Sequence, residues 1–121
     1  MSKVFTENVP IYFQIIELLK ISIITGEYKA DDKLPPVRDL ALKYGVSPNT
    51  VQRAYSELER EGIVQSERTS GRYINIDSDK IEELKKGISD EYIKELFDRL
   101  RQIGLSDDDI KNLVNKWEEN K

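Results

Sequence analysis

The chain has 121 residues, 38% hydrophobic and 35% charged, which suits one soluble globular domain with a modest core and a small appendage. It holds no cysteine and no histidine, so disulfides, thiolate nucleophiles, Cys/His metal sites and imidazole acid–base chemistry are excluded together. The net charge of −4 is unevenly spread: residues 1–76 carry ten Lys/Arg against ten Asp/Glu, and residues 77–121 carry nine against thirteen.

Residues 1–10 show no charged start followed by an apolar run, so no export signal is expected. The most apolar stretch, residues 15–24, is broken by Glu17 and Lys20 and is too short and polar to cross a bilayer. A cytoplasmic protein with no membrane partner is the expectation. A first helix is predicted over residues 11–25, with Pro10 at its entry, Gly26 after its end, and Ile11, Ile15, Leu18, Leu19 and Ser22 on one side. GEYKADDKLP then reads as a loop.

Pro36 can open a second helix, with Val37, Leu40 and Ala41 as its apolar side and Gly45 as a left-handed stop. Ser47 is a good N-cap and Pro48 a good first residue for a third helix ending near Gly62. Two helices thus meet across a short turn at Gly45-Val46-Ser47, with Val46 plugging the angle between them, which is the helix-turn-helix pattern. Residues 64–67 and 72–76 are expected to pair as short strands across Arg68-Thr69-Ser70-Gly71. A helix-turn-helix followed by a hairpin is a winged helix-turn-helix.

Residues 77–80 read as a hinge, followed by an unclear helical start over 81–86 and two clearer helices. Ser89 is expected to cap the first of these, with Ile93, Leu96, Phe97 and Leu100 on one face, and Gly104 to end it. Ser106 and Asp109 fit a capping box for a last helix carrying Ile110, Leu113, Val114 and Trp117. Asp107, Asp108 and Asp109 suit a helix's first turn better than a metal site, and no metal or cofactor is expected.

At about 100° per residue, Val51, Ala54, Tyr55 and Leu58 of the third helix fall on one side. Asn49, Arg53, Ser56 and Arg60 fall opposite, with Gln52 and Thr50 on the flanks. Between Leu40 and Ser56 the only charges are Lys43 and Arg53, both positive. Asn, Thr, Gln and Arg in the first two turns are the residue types and place from which a recognition helix reads base edges in a major groove. The plainer reading is a solvated helix face; the preceding turn and following wing favour nucleic acid. Arg38, one turn into the second helix, could reach a phosphate or a base beside the third helix, or simply pair with Asp39 or a nearby acid. Arg68, Thr69, Ser70, Gly71 and Arg72 offer two charges and small residues to a minor groove, or form a solvated hairpin tip.

LPPVRDLALKYGVSPNTVQRAYSELEREGIV and TSGRYI resemble the N-terminal domain and wing of the GntR family of bacterial transcription regulators. That family's features fall on Leu34-Pro35, Arg38, Gly45-Val46-Ser47 and Thr50-Val51-Gln52. Pro48 stands where the family often has Arg, and Gln52 where its Thr-Val-Arg run has Arg. The resemblance implies DNA contact by Arg38, Ser47, Asn49, Thr50, Gln52, Arg53 and Gly71. PIYFQI, NTVQRAY and the short C-terminal part look most like the YtrA-type subgroup, whose members regulate transporter operons and dimerise through a helical tail.

The expected fold is therefore mainly α with a small β-hairpin: a winged helix-turn-helix DNA-binding domain over residues 1–76 and a helical dimerisation region over 77–121. Leu96, Phe97, Leu100, Leu113, Val114 and Trp117 would form a two-fold interface, with some packing on Ile15 and Leu19; an intrachain αα-hairpin is the simpler alternative. The expected function is a homodimeric, sequence-specific repressor bound to a near-palindromic DNA operator, its site formed by Arg38, Ser47, Pro48, Asn49, Thr50, Gln52, Arg53, Arg68, Thr69, Ser70, Gly71 and Arg72. No residue pattern identifies a small-molecule effector. A winged-helix protein-interaction module without a DNA role is the alternative. An enzyme fits least, since no acid pair sits at an evident cleft.

Overall fold

Three prolines open helices in this chain. In the computed structural model, which describes residues 8–121, Pro10 and Pro36 stand just before α1 (Ile11–Ile24) and α2 (Val37–Tyr44), and Pro48 is the first residue of α3 (Pro48–Arg60). A proline's missing N–H costs nothing at a helix start, where that donor has no partner within the helix. Gly45 ends α2 at φ 67°, ψ 37°, in the left-handed region that most side chains avoid. The Val46 N–H then reaches back to Ala41 O at 3.0 Å, and the Val46 side chain packs half-buried against the core at the bend between the two helices.

The core forms where α1 and α2 both pack on α3. From α3 it takes Val51, Ala54, Tyr55 and Leu58, the stripe its periodicity predicts. In α1 the buried residues are Ile15, Ile16, Leu19 and Ile23, while Ile11 is 40% exposed. The stripe there follows i, i+4, i+8 from Ile15 rather than the expected line through Ile11 and Ser22. Each such aliphatic side chain taken fully from water contributes roughly 1.5–3 kcal/mol. That outweighs the part-buried Lys20–Glu61 ion pair at 3.0 Å, which ties α1 to the residue capping α3.

β1 (Val64–Glu67) and β2 (Gly71–Ile74) pair antiparallel, with Val64 opposite Ile74 and Glu67 opposite Gly71. The second strand starts one residue earlier and ends two earlier than expected, with the Asn75 N–H just beyond its end still bonded in register to Ile63 O at 2.9 Å. The loop before α2 adds a third edge: Leu34 N–H donates to Arg72 O and Ile74 N–H to Asp32 O, both at 2.8 Å, and Lys33 bridges Tyr73.

α4 (Ser78–Gln102) is one continuous helix, which corrects the expected hinge and the expected start at Ser89. Asp77 begins it by accepting the Lys80 N–H on Oδ1 at 2.9 Å. Ser89 is interior, its hydroxyl donating to Lys85 O at 2.8 Å instead of capping anything. Gly104, at φ 98°, follows, and then α5 (Asp107–Asn120). The described chain forms two compact units that divide within α4, after Leu84. In the first, Leu84 and Ile81 join the core that already holds Ile15 and Leu19. In the second, Ile110 is fully buried.

The architecture is mainly helical with a two-stranded hairpin, and its α2–turn–α3–hairpin order is a winged helix-turn-helix.

Candidate nucleic-acid interface

The start of α3 is built by its own side chains. Ser47 Oγ accepts the Thr50 N–H at 3.2 Å, and the two hydroxyls lie 2.9 Å apart. Ser47 and Thr50 thus spend bonding capacity on the cap, and Pro48 serves as the first helical residue. Asn49, Gln52, Arg53 and Ser56 point outward and are exposed, with Gln52 Nε2 donating to Ser56 Oγ at 3.3 Å. Behind them Tyr55 is fixed by its hydroxyl, which donates to Pro35 O at 2.7 Å. Burial pushes that phenol's pKa far up, so it stays neutral and structural.

Arg53 does not wave free. Its guanidinium lies 3.7 Å from the centre of the Tyr12 ring, and Nη2 donates to the Tyr12 hydroxyl at 3.1 Å. Asn49, Thr50 and Arg53 line one shallow groove with Ile11 and Tyr12. Further along α3, Arg60 is held by Glu57, whose carboxyl the arginine keeps below its usual range, so that positive charge is partly neutralised.

Arg38 is exposed and makes no ion pair among the described residues, so the expected alternative of a bond to Asp39 is not what the structure contains. In the wing the two arginines part ways. Arg68 and Thr69 are exposed at the tip, and Ser70 is half-buried. Arg72 instead lies against α3, with Nε 3.4 Å from Glu59 Oε1 and its guanidinium 5.3 Å from the Tyr55 ring.

One cation of the wing escapes the sequence reading. Lys33 pairs beside β2, and a Cβ placed on Gly71 would lie 2.9 Å from Lys33 Cε. Its ammonium makes no ion pair among the described residues and stands next to the wing turn. The signal was the period-two pattern of buried Leu34 beside outward Lys33, hidden in a segment read only as loop.

In the second unit the three acids at the start of α5 serve the helix. Asp109 Oδ2 accepts the Ser106 N–H at 3.0 Å in a capping box, and Asp107 takes a two-pronged contact from Arg101 at 2.8 and 3.1 Å. Leu96, Leu113, Val114 and Trp117 are 42%, 47%, 43% and 65% exposed, while Phe97 and Leu100 are half-buried. No helix among the described residues is long and apolar enough to cross a membrane.

The family described as bacterial regulatory proteins, gntR family, matches residues 11–74. YhcF of Bacillus subtilis (strain 168), an uncharacterised HTH-type transcriptional regulator, is 34% identical over 91% of each chain. The HTH-type transcriptional repressor YtrA of the same organism is 50% identical over 56% of this chain, which spans about half of it (52%). Among solved structures, a GntR family transcriptional regulator from Listeria monocytogenes superposes with a TM-score of 0.79 at 38% identity, covering 93% of this chain and 98% of that one. The DNA-binding domain of AraR in complex with operator ORR3 matches 61% of this chain and 87% of that one, with a TM-score of 0.53 at 27% identity.

Proposed function

This chain belongs to the GntR family of bacterial regulatory proteins, in its YtrA-like subgroup, and from that premise we propose that it is a homodimeric repressor reading a near-palindromic operator. The observation that carries the reading is the outer side of α3. Asn49, Gln52 and Arg53 stand exposed in its first two turns, while Val51, Ala54 and Tyr55 hold the helix from behind. A helix so anchored offers Asn and Gln to adenine edges and Arg to guanine or phosphate. The likeness to an AraR domain bound to its operator supports the use of this fold on DNA.

Residues 1–76 form the reading part in this proposal, with Arg38 from α2 and Arg68 to Gly71 from the wing flanking α3 on the DNA backbone. Residues 77–121 form the dimerising part, in which Leu96, Phe97, Leu100, Leu113, Val114 and Trp117 meet the same residues of a second copy. Two such subunits would set their α3 helices in successive major grooves, roughly 34 Å apart. Repression is what the likeness to the repressor YtrA supports, and a transporter operon as target is what the resemblance to the YtrA-type subgroup implies.

Fluorescence anisotropy with a labelled duplex from upstream of the protein's own gene, against a scrambled duplex of equal length, tests the reading. Specific binding is expected to be tighter by about 10³-fold or more at physiological salt. Equal affinity for the two duplexes would overturn it.

A further inference from the structure

The Arg53 side chain on α3 is held by a residue of a different helix. Tyr12, in the first turn of α1, lies 41 positions away in sequence, yet its ring carries the Arg53 guanidinium at 3.7 Å and its hydroxyl accepts from Nη2 at 3.1 Å. Tyr12 is itself half-buried and packed against the core, so the platform is stiff while the cation on it is exposed. A second ring, Phe13, stacks on Tyr12 at 4.4 Å between centroids. Asn49 and Thr50 border the same groove.

We propose that Tyr12 is a positioning residue for DNA binding: it commits Arg53 to a backbone phosphate beside the first turns of α3 rather than to a base. This rests on the reading of α3 as the DNA-contacting helix. The geometry explains the choice. An arginine that reads guanine must extend its fork fully along the groove floor. Arg53 lies over a ring on the neighbouring helix, with one donor spent on the tyrosine hydroxyl while the residue as a whole is exposed. The Tyr12 hydroxyl, having accepted from Arg53, keeps its own proton to donate. The pair therefore presents a cation and an O–H donor to one anionic oxygen cluster. A preset guanidinium also loses less side-chain entropy when it meets that phosphate.

The test is a salt titration of binding for the full chain, its Tyr12→Leu and Tyr12→Phe variants, and Arg53→Gln alone and combined with Tyr12→Leu. Both the gene's own upstream duplex and a scrambled duplex are used. A phosphate contact is independent of sequence, so the plot of log affinity against log salt should flatten by about 0.9 per lost phosphate on both duplexes. Tyr12→Leu should lower affinity about fivefold and flatten that slope, while Tyr12→Phe, which keeps the ring, should retain the slope. In the Arg53→Gln background Tyr12→Leu should leave the slope unchanged and lower affinity less than it does in wild type, since only its hydroxyl contact, and no charge, is then lost. Circular dichroism melts of each variant separate a loosened core from a lost contact. An unchanged slope in folded Tyr12→Leu, or an equal loss with and without Arg53, would overturn the inference. Equal affinity of wild type for the two duplexes would overturn the operator reading instead, and the slopes would still decide the role of Tyr12.

Discussion

Two arginines four positions apart in the wing carry the same charge and have different surroundings. Arg68 is exposed at the turn, whereas Arg72 packs on Glu59 and the Tyr55 ring. Removing them should therefore separate binding from stability. Arg68→Ala is expected to leave the melting temperature unchanged and to flatten the salt dependence of DNA binding by up to about 0.9. Arg72→Ala should instead destabilise the first unit by about 1 kcal/mol, because it takes the cation from the Tyr55 ring and leaves Glu59 with only the Ser66 hydroxyl; thermal melts read this. A melt lowered by Arg68→Ala and untouched by Arg72→Ala would reverse the assignment. The residue types of the candidate site were legible in the sequence, since Asn49, Gln52 and Arg53 are what remains of α3 once its buried stripe is subtracted. Their partners were not. Tyr12 under Arg53, Glu59 against Arg72 and Lys33 beside Gly71 are long-range pairings, fixed by how helices and strands pack rather than by any local pattern.

At the scale of elements, legibility follows the range of the forces that set each boundary. The ends of α2 and α3 depend on Pro36, Gly45, Ser47 and Pro48, all within a turn of the boundary they create, and the sequence shows them directly. The α5 capping box of Ser106 and Asp109 is equally local. α4 defeats that approach because Ser89 looks like a cap, yet the helix runs through it and through Gly87. After a local start at Asp77, its first turns are held by Ile81 and Leu84 reaching the first unit's core, a packing that no window of sequence displays. Gly87 then pays the usual entropy penalty of a glycine inside a helix. A Cβ there would meet nothing within 4 Å, so alanine fits without displacement. Gly87→Ala should stabilise the protein by about 0.5–1 kcal/mol, read as a higher denaturant midpoint. An unchanged or lowered midpoint would argue for a break in α4 near this position.

The whole chain divides its charge and its exposed apolar surface between its two parts. Residues 1–76 are neutral overall and residues 77–121 carry the entire −4, which would keep the latter off a polyanion and leave contact to the former. The second part also holds Ile93, Leu96, Leu113, Val114 and Trp117, each at least 42% exposed. That much apolar surface on so short a segment suits association with a second copy better than a solvated life. The double variant Leu113→Asp with Val114→Asp probes this without touching Ile110, the residue that is fully buried in this unit. Sedimentation equilibrium should report a dimer for wild type and a monomer for the variant, with helix content retained by circular dichroism. Binding to a full near-palindromic site should then weaken by about 10²–10⁴-fold, the gain that linking two reading heads confers, while binding to a single half-site stays the same. A variant that remains dimeric would move the interface to another surface. A monomer that keeps full-site affinity would mean that one α3 helix suffices, and the near-palindrome would lose its reason.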